Sequence, residues 1–223
     1  MSICGVIMVL ITGLEMNTKK NRARLYIDGA YVFSISVEVA LKKKLRIGME
    51  ISENQIETLR EDDEICRCKE SAFRLLDFRA RSEKELRDRL ARKGFGLEVI
   101  GKTMEGLKAS GLIDDVEFGR QWAESRQNFR PQSAFLTRRE LKDKGLSEEA
   151  IAQAVENYDD YENALSAARP RAMKYTGIEY PIFQRRIGSF LQRRGFGYGV
   201  IKPIINKLWK EVIQYQNSGE NLQ

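Results

Sequence analysis

Histidine is absent from all 223 residues. With it go the side chain that titrates near neutral pH, the commonest general base and the commonest metal ligand. Ser-His-Asp and Cys-His hydrolases are excluded, as is any zinc site that needs imidazole. Cysteine is scarce: Cys4, Cys66 and Cys68 make an odd count in a mid-sized chain. With no export signal, they read as reduced thiols of a cytoplasmic protein. Cys66-Arg67-Cys68 lacks the second pair that a structural zinc site requires, so both read as ordinary helix residues. Only four prolines interrupt the chain, which favours long helices. No apolar run approaches the ~20 residues of a membrane-spanning helix. Ile3 to Leu14 is largely apolar but lacks a basic leader and a cleavage site, and reads as a buried β-strand. Neither a Walker loop, nor a dinucleotide-binding glycine fingerprint, nor paired metal-ligand spacing is present. Asp114-Asp115, the nearest acidic pair, stands where a helix cap belongs. The expectation is a non-enzyme without metal or cofactor.

What is present is apolar material enough for a core (42%) and an excess of charge (31%), the mark of much solvated helix surface. The formal charge of +6 is unevenly placed. Residues 1–70 hold 11 basic and 11 acidic side chains, whereas residues 71–223 hold 27 and 21.

Residues 1–51 read as a β-rich element with a short helix. Arg24 to Ile27 and Tyr31 to Ile35 flank Asp28-Gly29-Ala30, whose Asp-Gly pair suits a tight hairpin turn. Val9 to Leu14 supplies a third strand, because a lone hairpin is marginal in water. Ser36 reads as the N-cap of a short helix through Lys44. From Ser52 the pattern turns helical. Ser52-Glu53-Asn54-Gln55 and Ser82-Glu83-Lys84-Glu85 are capping boxes, the first opening a helical stretch to about Ala80.

Internal repetition is the informative feature. Leu90-Ala91-Arg92-Lys93-Gly94-Phe95, Leu141-Lys142-Asp143-Lys144-Gly145-Leu146 and Leu191-Gln192-Arg193-Arg194-Gly195-Phe196 share one pattern, with glycines 51 and 50 residues apart. Each glycine follows a helix with basic residues in its last turn, as a left-handed C′ position demands. Apolar residues recur at matched offsets beyond each glycine, for example Val99, Ile100, Met104 and Leu107 against Val200, Ile201, Ile205 and Leu208. The expected fold is therefore mainly all-α: three tandem three-helix repeats in an elongated array behind a small N-terminal β-hairpin element. The bounds are 52–114 for a linking helix and repeat 1, 115–160 for repeat 2, 161–211 for repeat 3 and 212–223 for a polar tail. Phe78, Leu90, Ile100, Phe118, Trp122, Leu141, Ile151, Phe190, Leu191, Ile201 and Leu208 are the expected core.

Charge separates the repeats. In the first, Glu83-Arg87, Lys84-Asp88 and Glu85-Arg89 are i,i+4 partners that neutralise one another. Residues 115–160 are net acidic, at −3, while residues 161–211 carry +7. The stretch Pro181 to Arg194 contains Arg185, Arg186, Arg193 and Arg194 and no acid. Phe183, Ile187, Phe190 and Leu191 mark its buried face. Unpaired arginines of this kind suit an external anion. Arg138, Arg139, Lys142 and Lys144 form a weaker cluster in repeat 2, diluted by Glu140 and Asp143. Arg130 sits in the turn before them, and Lys202 adds a basic position in repeat 3. Neutralising the four arginines of residues 181–194 is expected to weaken binding without loss of stability.

The hairpin Tyr26-Ile27-Asp28-Gly29-Ala30-Tyr31-Val32-Phe33-Ser34 resembles the N-terminal segment of bacterial RecX regulatory proteins. Arg79-Ala80-Arg81-Ser82-Glu83-Lys84-Glu85-Leu86 with Lys93-Gly94-Phe95 is similar to that family's first-repeat signature, as is Gly111-Leu112-Ile113-Asp114-Asp115 with Phe118 and Trp122. Glu140 to Leu146 and Phe190 to Phe196 continue the resemblance, which runs from about Ile11 to Leu208. It implies a small cytoplasmic modulator of the RecA recombinase in recombination and DNA repair. Such a protein lies along the groove of the RecA–DNA filament and limits growth, ATP hydrolysis and strand exchange. It implies no catalytic residue, no cofactor and no membrane partner, and a monomer whose basic surface meets single- or double-stranded DNA or acidic RecA surface. A sequence-nonspecific DNA-binding protein of helical-repeat type is the alternative reading of the same residues, and a plain helical scaffold is a third.

Overall fold

A computed structural model describes residues 8–220. Cys4 and the first part of the apolar N-terminal run lie outside the described residues. The chain divides into two compact units, Met1–Ile113 and Asp114–Gln223.

The first unit opens with a four-stranded antiparallel sheet in the order β3-β2-β1-β4. Its strands are β1 (Met8–Asn17), β2 (Arg22–Ile27), β3 (Ala30–Ser36) and β4 (Glu50–Ser52). The β2–β3 turn is made as the Asp-Gly pair predicts, with φ of 48° at Asp28 and 81° at Gly29. The Asp28 side chain then accepts a hydrogen bond from the Leu10 amide at 3.0 Å, tying the turn to β1. The apolar run is not buried throughout: Ile11 is fully buried, but Met8 and Leu10 are exposed. An antiparallel sheet with one covered face alternates its side chains in this way. The sequence reading missed β4, whose three residues are too few to show a period.

Helix α1 (Val37–Lys42) follows Ser36 as expected, but the serine side chain does not cap it. Its Oγ instead accepts from Cys66 Sγ at 3.3 Å. Helix α2 (Glu53–Phe78) is 26 residues long and opens with the complete Ser52–Gln55 capping box. It serves two cores. Leu59 and Cys66 pack under the sheet with Leu25, Ile35 and Ile51, while Cys68 and Ala72 join Leu86, Leu90, Ile100 and Met104 in the first repeat. Burial pushes both thiols up, so they stay protonated at neutral pH. Asp63 clamps the sheet to the helix. Its carboxylate accepts from Arg22 at 2.6 and 2.9 Å and from the Ser36 amide at 2.6 Å.

The first repeat is completed by α3 (Glu83–Arg92) and α4 (Leu97–Ala109). Within α3, Glu83 pairs with Arg87 as expected and also with Lys108. Glu85 pairs with Arg79 across the turn. Phe78 is not core: it ends α2 with 82% of its surface exposed.

In the second unit, α5 (Asp115–Phe129), α6 (Ala134–Asp143) and α7 (Glu148–Ala154) form repeat 2, and α8 (Asp160–Ala172), α9 (Tyr180–Gln192) and α10 (Tyr198–Glu220) form repeat 3. Asp114 caps α5 through bonds from the Val116 and Glu117 amides, so the acidic pair is a capping feature. Gly94, Gly145 and Gly195 all hold the left-handed conformation that the repeat pattern demands, at φ 91°, 85° and 83°. Helix α10 extends to Glu220, through most of the segment read as a polar tail.

Candidate functional site

Helix α9 sorts its side chains by period. Phe183, Ile187 and Leu191, spaced four apart, are fully buried. Arg185, Arg186 and Arg193 are exposed and make no ion pair among the described residues. The Arg186 guanidinium lies over the Tyr175 ring, 5.1 Å from its centroid. Phe190, expected in the core, packs half-buried against it, with the Arg194 and Arg171 guanidinium groups over its ring at 4.8 and 5.1 Å.

Arg194 differs from its three neighbours. It donates through Nη1 to the Pro131 carbonyl at 2.7 Å, and its own carbonyl accepts from the Ser133 amide at 3.0 Å. Burial, and then the nearby Arg130 guanidinium, hold its pKa below the ordinary arginine range. It therefore joins repeat 3 to the turn that opens α6, and brings exposed Arg130 beside the third repeat.

The second-repeat cluster is divided. Arg138 and Arg139 are exposed and unpaired among the described residues. Lys142 pairs with Glu148 at 2.7 Å. Lys144 sits over the Trp122 ring at 4.0 Å, and Arg126 covers the same ring at 4.4 Å. Trp122 packs half-buried against the repeat-2 core, stacked on Phe118 and donating through Nε1 to Glu140 at 2.9 Å. Lys202 is exposed on α10.

Burial pushes the Glu140 carboxyl up, but bonds from Arg126 and Trp122 outweigh it and hold the group below its ordinary 4.5. A carboxyl depressed in the folded state adds stability above its unfolded pKa and loses it as pH falls through the folded one. Between about pH 6 and pH 3 the wild-type melting temperature should therefore fall further than that of Glu140→Gln. Parallel melting curves for the pair would refute the role of Glu140.

The sequence reading missed Arg171, Lys174 and Tyr175. With Ala167, Pro170 and Phe190 they line a cleft between α8 and α9 of about 360 Å³. The signal was available: Asn163 to Ile178 contains three basic residues and no acid. Within the signature of repeat 1, Arg81 and Ser82 are by contrast structural. Arg81 is buried, with Nε donating to the Leu75 carbonyl at 2.9 Å. Among the described residues, no group of three or more acids or cysteines is placed to hold a metal.

Comparison with known proteins locates four family models along the chain. They are the RecX N-terminal domain at residues 9–52 and the first, second and third RecX three-helix domains at 68–107, 114–155 and 158–205. A regulatory protein RecX of Clostridium beijerinckii is 33% identical over 209 residues, covering 90% of this chain and 96% of its own. One from Listeria welshimeri is 31% identical, covering 86% and 73%. Among solved structures, a crystal structure of regulatory protein RecX matches with a TM-score of 0.73 at 22% identity, covering 89% of this chain and 99% of that one. RecX from Lactobacillus salivarius matches with 0.59 at 23%, covering 66% and 97%. At these identities the two structures bear on the fold alone.

Proposed function

The chain belongs to the RecX family of regulatory proteins, and from that membership we propose that it binds the RecA–DNA filament and restrains its growth, ATP hydrolysis and strand exchange. The observation that carries this reading is the set of exposed arginines on α9, Arg185, Arg186 and Arg193, in a stretch from Pro181 to Arg194 that holds no acid, on a helix whose counterparts recur from repeat to repeat. A repeated helical frame suits a partner that is itself periodic. Cations without internal counter-ions suit the phosphates such a partner encloses. Arg130, Arg138, Arg139, Arg185, Arg186, Arg193 and Lys202 supply the exposed charge, and Arg194 and Lys144 shape the surface from within. The protein acts by binding, as a monomer in the cytoplasm, without cofactor or catalytic group. Among the described residues no helix is long and apolar enough to cross a membrane.

Titrating the purified protein into RecA on single-stranded DNA should lower the ATPase rate and strand exchange in a saturable way. An unchanged rate at excess protein would count decisively against the proposal. The second reading, direct sequence-nonspecific DNA binding, is favoured by the same unpaired arginines. It requires affinity for bare DNA that falls steeply with salt whether or not RecA is present.

A further inference from the structure

We propose that the α8–α9 cleft of the third repeat is a nucleotide-binding subsite that takes a phosphate group together with its unpaired base. The inference deepens the filament reading and rests on it for its biological setting, but its chemistry stands on the cleft itself.

The cations lining this cleft hold no carboxylate among the described residues, unlike several others of the second unit. Arg169, two residues away, is paired bidentately with Glu211 at 3.0 Å, and Arg120, Arg126 and Lys142 all hold carboxylates. Arg171 faces a ring instead, over Phe190 at 5.1 Å, while its Nε donates to the Tyr175 hydroxyl at 3.2 Å. Its terminal nitrogens have no acceptor among the described residues. Lys174, exposed at the rim, makes no side-chain bond among them either. Arg186 lies over Tyr175. No carboxylate is among the lining residues.

Two consequences follow. A guanidinium laid on an aromatic ring is fixed in orientation without being neutralised, so its remaining donors are ready for an anion and lose little freedom on binding it. A phosphate oxygen is the acceptor that fits such a fork. The same stacked pair also extends a flat platform, on which an unstacked base packs against a guanidinium or ring face. A cleft of about 360 Å³ lies at the small end of ligand-pocket volumes, a size for one nucleotide unit. Bases within a duplex cannot enter it, because their faces are already stacked. The ligand is therefore a nucleoside phosphate with a free base, either free in solution or within an unpaired strand.

The test uses the full chain without recombinase, so its failure is distinct from failure of the filament reading. A single-stranded oligonucleotide carrying 5-iodouracil is irradiated with the protein, and the cross-linked peptide is mapped. The same strand, its duplex and a free deoxynucleoside monophosphate are compared as ligands by anisotropy or competition. Cross-linking at Tyr175 or Phe190 is expected, with the strand bound more tightly than the duplex. Arg171→Gln with Lys174→Gln should weaken strand binding about 10-fold or more beyond the control pair Lys207→Gln with Lys210→Gln, which removes equal charge from α10 of the same repeat. Competition by the free monophosphate at the cleft would assign the source as free nucleotide; competition by the strand alone would assign it to the strand. Both support the subsite. Cross-links confined to other residues, equal losses in the two variant pairs, or duplex bound as tightly as single strand would each overturn it.

Discussion

Replacing Arg185, Arg186 and Arg193 together by glutamine is expected to weaken binding to a RecA–DNA filament by about 100-fold at moderate salt. The melting temperature should stay within about 2 °C of wild type. All three side chains are exposed and none holds a carboxylate among the described residues, so the fold gains little from their charge. At an exposed surface each such ion pair with a phosphate or carboxylate on the partner is worth about 0.9 kcal/mol, and three in one patch combine to the stated loss. Where the contacts are to phosphate, the slope of log affinity against log salt should flatten by roughly 3. A binding isotherm that matches wild type, with an unchanged salt slope, would remove this face of α9 from the interface. A large drop in melting temperature would instead make the arginines structural.

Arg194 is left out of that set, and the reason shows where sequence reasoning reaches its limit. From the sequence, Arg193 and Arg194 are alike, adjacent cations in the last turn of one helix. Only the fold separates them, by setting Arg194 against Pro131, 63 residues earlier, and over the Phe190 ring. Lys144 is a similar case, drawn onto Trp122 by the return of α6 to α5. Phe78 errs the other way, since its spacing fits a core stripe but the helix ends before a partner covers it. The hairpin turn, the Ser52 capping box and the three left-handed glycines were legible because each is fixed within a few residues of chain. The α8–α9 cleft was not, because it needs Tyr175 and Phe190 to meet across two helices. Its acid-free stretch was the only local trace.

Replacing Gly195 by alanine should destabilise the second unit by about 3 kcal/mol, against about 1 kcal/mol for Gly94→Ala in the first. The two glycines hold nearly the same backbone conformation, φ 83° and 91°, so the left-handed penalty is shared. Their surroundings differ. A methyl group at Gly94 meets nothing within 4 Å, whereas at Gly195 it runs into Ser133 Oγ and lies 2.9 Å from Leu136 Cβ. Ser133 cannot yield cheaply. Its Oγ caps α6 by accepting from the Leu136 amide at 3.1 Å, and its amide donates to the Arg194 carbonyl. Moving it would cost the cap, about 1 kcal/mol, together with the overpacking strain. Glycine at this position is thus required twice, once by the turn and once by the close approach of repeat 3 to the start of α6. Both tryptophans, Trp122 and Trp209, lie in the second unit, so tryptophan fluorescence during urea unfolding reports on that unit. The Gly195→Ala transition should move to clearly lower urea while the Gly94→Ala curve stays near wild type. A Gly195→Ala transition that overlays wild type would mean that the close approach of Gly195 to Ser133 adds nothing to stability. In that case the basic surfaces of the two repeats would not be held in register by this contact.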